Sequence, residues 1–283
     1  MANMWAVMIF SIFILGQPCY AKLQHSESPQ PDSFYLFFDY EQDYAQPEWV
    51  LKNQLEGFLV KLEKAKKRQR SDISFLRTVF HKTHRKFLRS YDPSATLPET
   101  FATGTYGCLS GTAIYALILR HFGYDYEILE TPSHVYLSVL LTDQKVLIES
   151  TLPLDGFISD QKKIRSITQQ YEVDSRKHTS IVAISGVSRS MNDFVYGKKI
   201  DLKQLSGLQF YNMSIYDIAE DHLEEAMLNA QRSLEMYPSN RTEQLMEIVI
   251  NKILQSKTLS KDQKAGILNN YIRQVKKKRL TQR

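Results

Sequence analysis

Leu51, Leu55, Phe58, Leu62 and Ala65 recur at steps of three and four, which predicts an amphipathic helix over 47–70 with Pro47 at its start. Ser71-Asp72 then offers a cap. Phe75, Leu76, Val79, Phe80, Phe87 and Leu88 predict a second helix, which Asp92-Pro93 ends. The stretch 91–107, with two prolines and two glycines, reads as a loop without regular structure, and loops of that length often wall a functional site. From Cys108 the helical period returns through Leu109, Ala113, Ala116, Leu117 and Leu119 and stops at Gly123. Beyond Gly123 the period becomes two. Strands are predicted over 124–130, 134–141 and 145–150, separated by Thr131-Pro132-Ser133 and by a turn at Thr142-Asp143-Gln144.

The flanks carry weaker patterns. The aromatic burst at 34–38 fits either an edge strand or a segment docked on the core. Ile164, Ile167 and Tyr171 suggest a short helix, 180–184 a strand, and Gly186 to Gly197 a loop; His178 reads as a surface residue. Residues 211–240 read as two helices with Ala226 and Ala230 where helices approach closely. Leu245, Ile248, Val249 and Ile253, then Ile267, Tyr271 and Val275, predict a further helical pair.

Composition narrows the class. With 283 residues, 43% hydrophobic and 24% charged, the chain is an ordinary globular protein of one large or two ordinary domains. A net charge of +5, with no aromatics interleaved among the basic clusters, makes no case for nucleic acid. The apolar run 4–15 is too short to span a bilayer. Gly16-Gln17-Pro18 breaks it, and Cys19-Tyr20-Ala21 follows with small residues where a signal peptidase reads, so export and cleavage after Ala21 are expected, with a lipid anchor as the lesser alternative. The n-region has no lysine or arginine. After cleavage Cys108 is the sole cysteine, so no internal disulfide supports the fold.

A lone thiol in an oxidising compartment is a liability unless buried or used. Cys108 follows a glycine turn and opens a helix, where unpaired N–H groups and the macrodipole favour a thiolate. If the hairpin turn is tight at Thr142-Asp143, His134 pairs with Thr151 and Tyr136 with Glu149. His134 and Glu149 then share a sheet face as diagonal neighbours, about 7–8 Å apart at the backbone. A slip of one residue would separate them. The three side chains have the types of a nucleophile, a base and an orienting acid: Cys108 attacks a carbonyl carbon, His134 carries the proton, Glu149 holds the imidazole, and the Cys108 N–H faces the oxyanion. Tyr106 could donate to that oxyanion or simply pack over the helix start. Asp155-Gly156 reads as a turn before it reads as a site wall. His81 and His84 lie three apart on the second helix without a nearby third ligand, so no metal site is expected.

A glycine-preceded cysteine opening a helix, a histidine opening a strand and an acid ending the next strand resembles the transglutaminase-like branch of the papain-like superfamily. There the histidine stretch usually reads like His-Ala-Trp, and the acid falls about fifteen residues later in an Asp-Pro-Thr-like element. Here His134-Val135-Tyr136 and Glu149-Ser150-Thr151 stand in those places; tyrosine replaces tryptophan, serine proline and glutamate aspartate, and the aromatic that usually precedes the cysteine is missing. The likeness covers 70–160. Separately, 211–240 resembles one tetratricopeptide repeat: Tyr211-Asn212-Met213-Ser214 opens it, Glu225-Ala226 is its middle, and Pro238 stops it, with Asp221 where the repeat has a mid-turn glycine. One repeat cannot bury its own face, so it is expected to stack on the following pair and on the domain before it.

The expected organisation is therefore a signal peptide over 1–21, a linker or docked segment over 22–46, an α+β transglutaminase-like domain over 47–200 and a helical module over 201–283. The resemblance implies an exported, periplasmic or extracellular cysteine enzyme that hydrolyses or transfers the acyl group of a peptide-like amide, with no metal or organic cofactor. The competing expectation is a non-catalytic binding protein that uses the cleft and the repeat to hold a partner protein. The basic cluster at Lys64, Lys66, Lys67, Arg68 and Arg70 reads as a solvated helix end. Lys276-Lys277-Lys278-Arg279 reads as a frayed tail before it reads as a membrane-surface contact.

Overall fold

The computed structural model of the chain describes residues 32–39, 46–177 and 197–281. The expected export signal, most of the linker, His178, the strand over 180–184 and the loop at Gly186 lie outside the described residues.

Helix α1 (Glu48–Lys66) starts behind Pro47, and α2 (Asp72–Phe87) starts where Ser71 Oγ accepts the Ser74 N–H at 3.3 Å. Both bury the faces their periodicity marks, including Leu51, Leu62, Phe75 and Phe80. The stretch 91–107 is not the structureless loop its composition suggests. It holds a parallel pair, β1 (Ser90–Tyr91) with β2 (Thr105–Tyr106), around the short helix α3 (Leu97–Thr103). Thr96 and Glu99 form a reciprocal capping box, and Gly104 at φ 82° ends the helix. Two turns of helix are too short to show a period, yet caps at both ends suffice to hold them.

Helix α4 (Cys108–His121) runs through the core, with Ala113, Ile114, Ala116 and Ile118 fully buried. It stops at Gly123, whose φ of 70° suits glycine. An antiparallel sheet lies against it in the order β6-β5-β4-β3-β7, made of β3 (Asp125–Glu130), β4 (Val135–Leu140), β5 (Lys145–Ile148), β6 (Phe157–Ile158) and β7 (Lys198–Ile200). The β4–β5 hairpin pairs Leu137 with Ile148 and Leu140 with Lys145, the frame expected from a tight turn at Thr142-Asp143. The edge strand β7 begins just after Gly197, where the sequence pattern assigned no element.

The aromatic burst is docked rather than extended. Residues Tyr35–Phe37 form one 3-10 turn, with Phe34, Phe37 and Phe38 buried and Arg120 donating to Ser33 at 2.7 Å. Helix α5 (Gln161–Lys177) is longer than the short helix its apolar residues suggested, and it covers the other sheet face through Ile164, Ile167 and Tyr171.

Helices α6 (Leu202–Ala219), α7 (Leu223–Met236), α8 (Asn240–Gln255) and α9 (Lys261–Thr281) complete the chain. Helix α6 begins at Leu202, well before the Tyr211 at which its pattern was read, because Asp201 and Gln204 cap it. Its first half, with Leu202, Leu205 and Leu208, belongs to the same core as α4, and its second half packs with α7 and α8. Asp221 makes the turn between α6 and α7 at φ 61°, the one non-glycine in the left-handed region among the described residues. The basic tail expected to fray continues the backbone of α9. The architecture is α+β, and no helix among the described residues is long and apolar enough to cross a membrane.

Candidate active site

Cys108 is the first residue of α4 and is half-buried. Its place depends on Gly107, where a Cβ would lie 2.9 Å from the Asp92 carbonyl oxygen and 3.1 Å from that of Pro93. The Gly107 N–H donates to Ser110 Oγ at 3.0 Å, which fixes the helix start. At that position the Cys108 N–H has no intrahelical acceptor. Gly111, one turn on, packs directly against Ser150, whose hydroxyl reaches the Cys108 carbonyl at 3.5 Å. Helix α4 thereby meets the segment after β5.

His134 stands at the mouth of the β3–β4 hairpin, its carbonyl accepting from the Thr131 N–H at 2.8 Å and from Thr131 Oγ1 at 3.0 Å. Glu149 follows β5 and is 1% exposed. Its N–H donates to the Gly156 carbonyl at 2.8 Å, and Gly156 is obligatory there, since a Cβ would sit 2.1 Å from the Glu149 carbonyl oxygen. The turn at Asp155-Gly156 thus holds up the backbone of the acid.

The geometry joins the three expected residues. His134 Nε2 and Glu149 Oε2 lie 2.6 Å apart, and the Cys108 side chain lies close enough to the imidazole to favour its charged form. With Nε2 taken by the acid, Nδ1 is the nitrogen left for the thiol. Glu149 Oε2 accepts a second bond, from the Tyr171 hydroxyl at 3.1 Å. Glu149 Oε1 accepts from the Thr151 N–H at 2.9 Å and Thr151 Oγ1 at 2.7 Å. Both carboxylate oxygens are therefore saturated by donors, as a buried negative charge requires.

Electrostatics follow from these contacts. Burial disfavours the imidazolium, but the hydrogen bonds with Cys108 and Glu149 and their charges outweigh it and raise His134 to about 10. Burial likewise disfavours the Glu149 carboxylate, yet His134 and Thr151 hold it below the ordinary carboxyl value. Both shifts favour the charged pair, an ionised acid beside a charged imidazole.

Tyr106 is 3% exposed and packs edge-on against Tyr91, with ring centroids 5.7 Å apart, and against His84 at 6.0 Å. Of its two expected roles, packing is the one its contacts display. Its ring neighbour Tyr91 is 53% exposed; burial, then the charges of Cys108 and Glu149, raise its hydroxyl pKa. Sequence reasoning gave no part to Tyr91, and it saw in Tyr171 only an apolar helix position. A tyrosine on an apolar helix face brings a hydroxyl that seeks a partner, which is the signal that could have drawn attention to Tyr171.

His81 and His84 diverge: His81 is exposed, whereas His84 is 7% exposed with no partner for either ring nitrogen. Burial, then the nearby His81, lowers His84 to about 4. Among the described residues no three His, Cys, Asp or Glu side chains are grouped so as to hold a metal ion. Searches of family models, of curated proteins and of solved structures find no match to this chain.

Proposed function

We propose that this chain is a cysteine enzyme of the transglutaminase-like, papain-like kind, acting on a peptide-like amide through a thioester at Cys108. The observation that carries the reading is His134 bonded at 2.6 Å to a saturated, buried Glu149, with Cys108 at the start of α4 close enough to bear on the imidazole's charge.

The chemistry follows from the contacts. Cys108 Sγ, its proton held on His134, attacks the amide carbon, and the oxygen that gains charge faces the Cys108 N–H at the start of α4. Collapse of the tetrahedral species breaks the C–N bond, and His134 gives its proton to the departing amine. Water or a second amine then attacks the thioester, loses a proton to His134 and expels the thiolate. Glu149 stays ionised throughout and keeps Nδ1 turned to sulfur. Hydrolysis and transamidation share every step but the last nucleophile.

The helical hairpin α6–α7 is read here as one tetratricopeptide-like repeat, supported by Ala226 and Ala230, both fully buried at the helix contact. Export, suggested by residues 4–21, belongs to the same proposal, as does a peptide or protein substrate outside the cytoplasm.

The test is an acyl trap. Incubation with p-nitrophenyl acetate should release nitrophenolate in a burst and leave one acetyl group on Cys108, located by peptide mass, and His134→Ala should lose both. No acetyl on Cys108, or acetylation indifferent to His134, would overturn the reading in favour of a binding protein.

A further inference from the structure

The segment that delivers His134 is short: Glu130 ends β3, Thr131 to His134 make the turn, and the Thr131 N–H closes it on the His134 carbonyl at 2.8 Å. Pro132 and Ser133 sit at its tip, half-buried and exposed respectively. The tip is gripped from the helical half of the chain. Arg241, in the first turn of α8, donates from Nη1 to Glu130 Oε1 at 2.8 Å and from Nη2 to the Pro132 carbonyl at 2.8 Å. Its guanidinium lies over the Tyr211 ring, 5.0 Å from the centroid, which fixes the plane of the fork. Glu130 is itself 1% exposed and takes the Tyr237 hydroxyl on its other oxygen at 2.5 Å. The α7–α8 corner that carries both donors is tied together by Thr242, whose Oγ1 lies 2.8 and 2.9 Å from the Tyr237 and Ser239 carbonyl oxygens.

We propose that Arg241 is a positioning residue for His134: its two-pronged bond across the β3–β4 turn makes the helical module a working part of the active site. The proposal rests on the Cys108–His134–Glu149 reading above. A guanidinium is suited to it because two parallel donors set both the place and the tilt of the turn. The bond to a main-chain carbonyl matters most, since an ion pair with Glu130 alone would tie down β3 and leave the turn free. A shift of about 1 Å at the turn displaces the imidazole from the sulfur, and misplacements of that size cost about 100-fold in well-aligned sites.

Arg241→Lys separates positioning from folding. An ammonium can stay on Glu130, so no buried carboxylate is left alone, but it cannot serve Pro132 in the same geometry. Val249→Ala, in the core of the α7–α8 pair, is the control for loss of stability alone. The measurement is the iodoacetamide labelling rate of Cys108 in the full chain, resolved by peptide mass, across a pH series. Arg241→Lys should label about tenfold or more slowly at about pH 6, with its rise moved towards the ordinary thiol range near about 8.5. Val249→Ala should melt earlier and keep the wild-type profile. Should Arg241→Lys fail to fold, Glu130→Met with Arg241→Met replaces the pair by apolar chains and should show the same slowed profile. A wild-type profile in the lysine variant, or an equal shift in Val249→Ala, overturns the positioning role while leaving the triad intact. A wild-type rate that itself rises only near about 8.5 overturns the triad, and this proposal with it.

Discussion

Gly111 and Ser150 are in direct contact across the candidate site: a Cβ on the glycine would lie 2.8 Å from both Cβ and Oγ of Ser150 and 3.4 Å from the Tyr106 ring. The contact brings the first turn of α4, with Cys108, against the segment that starts at Glu149. It also reverses the ordinary rule for helices. Gly→Ala inside a helix usually gains about 0.5–1 kcal/mol. Here the added methyl meets a side chain packed between elements, and overpacking of that kind costs about 1–3 kcal/mol. Gly111→Ala should therefore lower the urea midpoint and slow Cys108 labelling, whereas a gain in stability with unchanged labelling would show that Ser150 can yield.

Glu149→Gln should leave the fold in place and disable the site. An amide can serve both neighbours only by imposing the wrong imidazole tautomer. If its oxygen keeps the Thr151 donors, its NH2 faces His134 Nε2 and drives the proton to Nδ1, the nitrogen meant for sulfur. Loss of the carboxylate also removes the bond and the charge that raise His134. Labelling at about pH 6 should fall by about 100-fold, the scale of a lost general base. An NMR titration should show the His134 imidazole losing its proton at a lower pH than in the wild type.

His84 gives the protein an acid-sensitive spot outside the Cys108–His134–Glu149 cluster. Its native value, about 4, lies below the ordinary 6.5, so the unfolded chain takes up the proton first. Stability from this group is present above about pH 6.5 and is lost as pH falls towards about 4. The charged and titratable groups that bear on it are His81 on its own helix, Tyr106, Tyr115 and, at longer range, Glu149. His84→Leu removes two buried nitrogens without partners, so it should be neutral or stabilising at about pH 7 and should lessen the loss on going to about pH 5 by about 1–2 kcal/mol. Urea unfolding of both proteins at the two pH values measures this.

Asp221 occupies the left-handed turn that joins α6 to α7, at φ 61°, and its carboxylate accepts from Thr258 Oγ1 at 3.0 Å. Asp221→Gly should be neutral or gain up to about 1 kcal/mol, the relief of φ being offset by the lost exposed hydrogen bond. Asp221→Ala keeps the strain and loses the bond, so it should cost about 1 kcal/mol. Thermal melts of the two variants give the order.

What could be read from the chain was local. The frame of the β4–β5 hairpin followed from alternation and one tight turn, and with it the meeting of His134 and Glu149. Cys108 at a helix start followed from the glycine before it and the apolar period after it. Helix α3 escaped because a helix of that length shows no period, although its capping pair Thr96 and Glu99 stood in plain view. Helix α6 was read too short because Gly207 and its neighbours blur the period; Gly207 lies against Tyr237, where a Cβ would come within 2.6 Å of the tyrosine Cβ. Contacts between distant residues left no trace in the pattern. Tyr171 reaches Glu149 from a helix that periodicity could place only by its greasy side, and Glu130 meets Arg241 across 111 positions.

The most direct test is the labelling rate of Cys108 by iodoacetamide as a function of pH, in the wild type and in His134→Ala, with peptide masses separating Cys108 from Cys19. A thiol paired with a charged imidazole reacts quickly already at about pH 6, and the substitution slows it strongly there. A rate that rises only near about 8.5 in both proteins, or no labelling before denaturant is added, would contradict a nucleophile at Cys108.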